Sequence, residues 1–369
     1  MKQNHNILVC PLEWGLGHAS RIIPVARKLR EMNHNVIIAG GESLRSFFNA
    51  ELPDFPFMVF PGFRPAYSKL LPQYLIIALQ IPVLIFHIVK EKILLKKIVK
   101  ELKINLVISD NRFGLWHKDI QTVYITHMPL IPFPKFLKFL EKTGSYLHQL
   151  IIRKYTWCLI PDLPGDLNIS GRLTHLRKLP SNVIFAGLLS RFAGEVLSLP
   201  ERTGKEYDLI MLSGPEPQRS ILRRKLELLS EDKETETIIL TGNPDKNNQS
   251  AKEGSKITLY SHLPSNELRA LILEAKNITA RSGYSTIMDL IALNRTALLI
   301  PTPGQTEQEY LAEYLAQKGW FSSVRQKELQ KPLILPVTKA KWPPDIISQS
   351  RELLERALTK ISEGIQKSS

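Results

Sequence analysis

Cysteine is almost missing from this chain of 369 residues: Cys10 and Cys158 are the only two, and they lie in separate apolar, strand-like runs. That excludes a disulfide-stapled scaffold and a thiolate metal cluster, and makes two buried thiols of a reducing cytosol the expectation. No apolar run reaches the roughly 18 residues that a membrane-spanning helix needs. The longest, Tyr74 to Val89, is interrupted by Gln80, Pro82 and His87. A signal peptide is not visible either, because Met1 to Asn6 is polar and the apolar run behind it is only a strand long. Acidic residues are scarce in one half alone. Residues 1–200 carry 25 Lys and Arg against 13 Asp and Glu, and the remainder 24 against 22, so nearly all of the formal charge of +14 belongs to the first half. A cationic half-protein attracts nucleic acid, an anionic membrane or polyanionic substrates. No nucleic-acid module signature is present, and the basic residues alternate with aliphatics more than with aromatics, which tilts the expectation toward lipid.

The length predicts two domains. Along the first half, apolar runs of strand length (Asn6 to Leu12, Asn35 to Ala39, Phe57 to Phe60, Ile104 to Ser109, Thr122 to Thr126, Trp157 to Ile160, Val183 to Ala186) alternate with helix-periodic segments. A polar passage from Ser190 to Glu206 reads as the linker, and the alternation restarts with Tyr207 to Leu212. The expectation is an α/β protein of two doubly wound, Rossmann-like domains facing each other across a cleft. Residues 1–195 would form the first and 205–345 the second, with a terminal helix in 346–369 returning to the first.

Two lysine-rich apolar stretches stand out in the first domain. Tyr74 to Val89 continues into Lys90, Lys92, Lys96, Lys97, Lys100 and Lys103, and Met128 to Tyr155 carries Lys135, Lys138 and Lys142 beside Phe136, Leu137, Phe139 and Leu140. Each reads either as an ordinary helix at a domain edge or as a helix that also dips into the interface of an anionic membrane.

The chemistry gathers at strand ends. Gly15-Leu16-Gly17-His18 follows the first strand and opens a helix, so glycine backbone and unpaired helix N–H groups meet a side chain that titrates near neutrality. Asp110 and Arg112 follow another strand and His127 a third, where open α/β sheets gather their ligands; each is alternatively a turn former or a loop salt bridge. In the second half, Ser213-Gly214 ends a strand. Arg281-Ser282-Gly283-Tyr284-Ser285-Thr286 runs from a strand into a helix, so N–H groups and hydroxyls converge there on an anion. Asp289, one turn later, suits ribose hydroxyls or merely complements the helix dipole. Pro301 to Tyr310, with Gln308 and Glu309, follows.

Together these motifs resemble the GT-B glycosyltransferases, most closely the glycosyltransferase family 28 type that includes the N-acetylglucosaminyltransferase of the undecaprenyl-linked peptidoglycan intermediate. The matches are Gly15, Gly17 and His18; Arg281, Ser282, Gly283 and Thr286; Asp289 where the family has Glu; and Gln308-Glu309-Tyr310 where it has Gln-Gln-Tyr. Trp14 stands where the family has a fuller glycine run. The resemblance implies a hexosyltransferase that moves a hexose or N-acetylhexosamine from a UDP-sugar, with inversion and without a catalytic metal or other cofactor. The acceptor would be lipid-linked or a glycan, and the place the cytoplasmic face of the membrane, as a peripheral protein with no nucleic-acid partner. His18 or Asp110 would be the base. Gly15, Gly17, Arg112, His127, Ser213, Gly214, Arg281, Ser282, Gly283, Ser285, Thr286, Asp289, Gln308 and Glu309 would hold substrates. A UDP-sugar hydrolase, or a noncatalytic nucleotide-sugar-binding subunit that recruits a membrane partner, are the alternatives.

Overall fold

A computed structural model describes residues 4–65, 76, 78–175, 178–193, 206–231, 233–242, 249–251, 255–331 and 341–368. Most of the expected linker, and Tyr74, Leu75 and Ile77 of the long apolar run, lie outside the described residues. The chain forms two compact units. One holds the described residues up to Ala193 together with those from Pro343 onward, and the other those from Glu206 to Trp342.

The first unit is a parallel sheet of β1 (Asn6–Cys10), β2 (Asn35–Gly40), β3 (Phe57–Val59), β4 (Leu106–Asp110), β5 (Gln121–Ile125), β6 (Trp157–Ile160) and β7 (Val183–Phe185), in the order β3-β2-β1-β4-β5-β6-β7. Every residue of β4 and β5 is buried, as expected of strands covered by helices on both faces. Cys10 and Cys158 are buried in this core without a disulfide, and burial pushes the Cys10 thiol up to about 12, so neither is a reactive nucleophile.

The second unit repeats the plan with β8 (Tyr207–Met211), β9 (Glu236–Leu240), β10 (Gln249–Ala251), β11 (Ile257–Tyr260), β12 (Asn277–Ala280), β13 (Leu298–Leu299) and β14 (Ser322–Ser323), ordered β10-β11-β9-β8-β12-β13-β14. Six strands are parallel and β10 joins the edge antiparallel. The short edge strands β10 and β14 leave no apolar run long enough to announce them in the sequence.

In both sheets the winding reverses direction once, between β1 and β4 and between β8 and β12. At such a point neighbouring strands send their connections to opposite faces, and a crevice opens beyond their carboxyl ends. Topology therefore selects four loops: those after β1 and β4 in one unit, and those after β8 and β12 in the other.

The helix Ile346–Ser368 belongs to the first unit. Its apolar stripe of Leu354, Ala357, Leu358, Ile361 and Ile365 is buried. Ser362 Oγ lies 3.2 Å from Nε2 of His34, the residue immediately before β2. Gly187, at φ +68°, faces Ser350 so closely that a side chain there has no room.

The helix Ile81–Glu101 is the realisation of the long apolar run, beginning later than Tyr74. Only Glu91 and Leu95 along it are buried, while Ile81, Val83, Ile85, Phe86, Val89 and Ile93 are exposed. Among the described residues no helix is long and apolar enough to cross a membrane.

Candidate active site

The loop after β1 turns at Gly15, whose φ of +137° a side chain rarely permits, and the helix Leu16–Glu31 starts at once. The neighbours of Gly15 fix the turn. Glu13 accepts from the Gly62 amide at 2.7 Å and from Arg64 Nε at 2.6 Å, and Trp14 Nε1 donates to the Phe63 carbonyl at 3.1 Å. His18 sits in the first turn of the helix. Cys10 pairs with Ser109 across β1 and β4, so the loop after β1 emerges beside Asp110.

These neighbouring strand ends bring His18 and Asp110 together. His18 Nδ1 is 3.1 Å from Asp110 Oδ2, with His18 18% exposed and Asp110 fully buried. A third residue, absent from the sequence-based set, completes the contact. Arg21, one helical turn after His18 and wholly buried, donates Nε to Asp110 Oδ2 at 2.8 Å and Nη2 to Oδ1. Its Nη1 is 2.9 Å from His127 Nδ1, and its Nη2 is 2.9 Å from His18 Nδ1. Four side chains from one helix and the ends of β4 and β5 thus form a single network.

Electrostatics set their charge states. Burial alone would raise the Asp110 carboxyl, but the Arg21 guanidinium and the His18 ring outweigh it and hold the group at about 2. His18 is shifted below its ordinary value by burial and by Arg21, with Asp110 opposing. At neutral pH the pair is a carboxylate beside an uncharged imidazole. His18 Nδ1 faces both the Asp110 carboxylate, which only accepts, and Arg21 Nη2, which only donates; the tautomer that donates Nδ1–H to Asp110 is the one that leaves the lone pair on Nε2.

Arg112 does not join them. Asn111 adopts φ +51°, and the Arg112 carbonyl accepts from Ser109 Oγ at 2.6 Å and from the Tyr155 hydroxyl at 2.7 Å. The guanidinium turns inward to Glu91 at 3.0 Å and to the Phe60 carbonyl at 2.9 Å. Arg112 thereby anchors the helix Ile81–Glu101 rather than lining the crevice.

In the second unit, Ala280 pairs with Met211, so Ser213-Gly214 and Ser282-Gly283 leave adjacent strand ends. A Cβ built on Gly283 would lie 3.8 Å from Thr286 Oγ1 and 3.9 Å from Ser213 Oγ, and one on Gly214 3.8 Å from Thr302 Oγ1. Glycine backbone and three hydroxyls therefore converge. Gly283 caps the helix Tyr284–Ala292 without a side-chain cap, so the positive end of the helix dipole faces this convergence. Ser285 lies half-buried in that first turn, and Asp289 is buried further along the helix.

Other members of the set hold the loops in shape. Arg281 is buried and donates to the carbonyls of Ile300, Pro301 and Gln218, and burial lowers its guanidinium to about 10. Gln308 accepts from the Thr302 amide at 3.0 Å and donates to Gln305 at 2.6 Å, while Ser282 Oγ donates to the Gln308 carbonyl at 2.9 Å. Exposed Glu309 accepts from the Gly304 amide at 3.0 Å. Thr302 is the residue that sequence reasoning passed over here. Its hydroxyl is buried with no partner among the described residues, although buried hydroxyls are nearly always paired.

Residues 214–361 match the glycosyltransferase family 28 C-terminal domain. The chain carries that domain on a GT-B fold. Among curated proteins it is 22% identical over 212 residues to the UDP-N-acetylglucosamine–N-acetylmuramyl-(pentapeptide) pyrophosphoryl-undecaprenol N-acetylglucosamine transferase of Sulfurihydrogenibium sp. (strain YO3AOP1), covering 48% of this chain and 59% of the relative. It is 26% identical over 157 residues to the transferase of the same description from Caldanaerobacter subterraneus subsp. tengcongensis, covering 39% and 42%. The chain thus matches about half the length of these relatives. The glycotransferase of kitacinnamycin superposes over 100% of this chain and 95% of its own with a TM-score of 0.62 at 12% identity. The spinosyn rhamnosyltransferase SpnG complexed with thymidine diphosphate superposes over 98% and 96% with a TM-score of 0.59 at 13% identity. At such identities the superpositions establish the GT-B fold.

Proposed function

We propose that this family 28 chain is an inverting glycosyltransferase that moves a hexose or N-acetylhexosamine from a UDP-sugar to a lipid-linked or glycan acceptor at an anionic membrane surface. The observation that carries the reading is His18 held by Asp110 at the switch point of the first sheet. Asp110 is fully buried and its oxygens are occupied by Arg21 and His18, so His18 Nε2 is the proton acceptor. As that nitrogen takes the acceptor hydroxyl proton, the new oxygen–carbon bond forms at the anomeric carbon and the bond to the diphosphate breaks. Charge then grows on the leaving diphosphate, where N–H groups at Gly283 and the hydroxyls of Ser213, Thr286 and Thr302 suit it. Asp289 is assigned to the ribose. The step draws on no metal. Release of nucleoside diphosphate, measured over UDP-, GDP- and TDP-sugars with and without acceptor, tests the reading. Acceptor-dependent release from UDP-sugars supports it, while acceptor-independent release of free sugar identifies a hydrolase instead.

The unpartnered Thr302 hydroxyl gives a sharper test of the donor site. Thr302→Val removes a buried hydroxyl that has no partner among the described residues, so the ligand-free protein is expected to gain thermal stability. UDP affinity falls by about tenfold if the hydroxyl donates to the diphosphate. Unchanged affinity by calorimetry removes Thr302 from the site.

Membrane docking rests on the exposed apolar face of the helix Ile81–Glu101 and on the lysines that continue it. Lys92 is half-spent, since its Nζ lies 3.1 Å from the centre of the Trp116 ring, but Lys96 and Lys100 are exposed. Lys96→Glu with Lys100→Glu is expected to lower partition onto anionic vesicles about thirtyfold or more. Turnover of a soluble acceptor should not change. Unaltered co-sedimentation with such vesicles removes this helix from the docking surface.

A further inference from the structure

Two buried tyrosines stand against the loop after β4, and the transfer step described above uses neither. Tyr124 lies in β5, opposite Ser109 of β4, and its ring centre is 5.0 Å from that of Tyr155. Burial pushes both phenols up, so neither titrates near neutrality. Each holds one residue of the loop. The Tyr124 hydroxyl donates to Asn111 Oδ1 at 3.0 Å, and the Tyr155 hydroxyl donates to the Arg112 carbonyl at 2.7 Å. With its one proton given to Asn111, the Tyr124 oxygen is left to accept from Nε2 of His148, 3.0 Å away on the helix Glu141–Ile152. Burial pushes that imidazole down to about 4, so it is an uncharged support.

Asn111 is the joint between two ion pairs. Asp110 and Arg112 are two residues apart, and in a continued strand side chains at that spacing share one face. A carboxylate and a guanidinium so placed favour pairing with each other. The turn at Asn111, φ +51°, parts them: Asp110 keeps Arg21 and His18, and Arg112 keeps Glu91. A left-handed backbone is costly for a residue with a side chain, less so for asparagine, so a bond to that side chain supports the turn. The Asn111 amide also donates to the Ile125 carbonyl at 3.1 Å, which ties down the backbone there but not the amide side chain.

We propose that Tyr124 is a positioning residue of the transfer reaction: by holding Asn111 in its left-handed turn, it keeps the Asp110 carboxylate on His18 and apart from Arg112. The proposal rests on the reading of His18 and Asp110 as base and partner. Tyr124→Phe removes one oxygen and keeps the ring. Tyr155→Phe is the matched control, since its hydroxyl is also buried but holds the residue beyond. Both variants should melt a few degrees early, because each leaves buried groups unpaired. Tyr124→Phe alone should lower kcat about tenfold, with the KM for UDP-sugar within about twofold of wild type. It should also move the acid limb of the pH profile to lower pH, as His18 loses the carboxylate that opposes Arg21 and His127. Asn111→Gly reads the route, because glycine adopts the turn without a side-chain bond. In that background Tyr124→Phe should change kcat by less than about twofold, a coupling that independent sites do not show. Wild-type kcat and acid limb in Tyr124→Phe, an equal shift of the limb in Tyr155→Phe, or an undiminished loss in the Asn111→Gly background each overturn the proposal and leave the base standing. An acid limb that survives His18→Ala overturns the base and this proposal with it.

Discussion

Exchanging His18 for alanine is expected to lower kcat about a thousandfold while UDP-sugar binding stays within about twofold of wild type, because a general base acts on the transition state and contributes little to holding the donor. The pH dependence discriminates further. A neutral imidazole is the active form, so the rate should fall as acid protonates it. The apparent pKa of that limb should lie below the ordinary histidine value, since burial and Arg21 both disfavour the charged ring. In the alanine variant the residual rate should lose this limb. Asp110→Asn should be comparably slow even with His18 present, because an amide facing Nδ1 no longer enforces the tautomer that leaves Nε2 unprotonated. A His18→Ala enzyme that keeps the wild-type profile would transfer the role of base to another group.

Arg21→Leu is expected to be the most destabilising single change near the site, by roughly 3–5 kcal/mol, because it strands the Asp110 carboxylate in a fully buried position. The melting temperature should drop by roughly 10 °C for a unit of this size. Much of the loss should return in the double variant Arg21→Leu with Asp110→Leu, which removes both charges together. Isothermal denaturation of the two single variants and the double variant measures their coupling directly. If Arg21→Leu costs no more than an ordinary surface substitution, about 0.5 kcal/mol, the guanidinium is not what neutralises Asp110.

Arg21 also marks where sequence reading stopped. His18, Asp110 and His127 were legible because each stands just beyond an apolar run, where a parallel sheet delivers its loops. Arg21 stands inside the helix, among charged residues that an amphipathic pattern assigns to solvent. Its signal was its spacing of one turn from His18, on the face shared with Val25 and the buried stripe. Arg112 is the opposite case. Its place in the chain put its Cα near the crevice, but the left-handed turn at Asn111 sends its side chain inward to Glu91, a partner 21 residues earlier on another element. In the second unit the Ser-Gly-Tyr-Ser-Thr motif marked a turn that leaves β12 beside the loop after β8. Thr302 went unnoticed because nothing in Pro-Thr-Pro says that its hydroxyl will be buried and unmatched.

By itself the sequence determined the α/β class, the alternation in both halves, the strand ends where chemistry gathers and the cationic, aliphatic character of the first half. Those are properties of local periodicity and composition, and each is written in consecutive residues. Only the tertiary structure decided that the winding reverses between β1 and β4 and between β8 and β12, which singles out two pairs of loops from all the strand ends. It also decided that Arg21 neutralises Asp110 and that Arg112 and Arg281 are internal anchors. The reason is physical. Backbone pattern fixes where a residue's Cα lies along an element, but a side chain's direction and partner depend on what distant segments place beside it, and those contacts exist only once the sheet is formed.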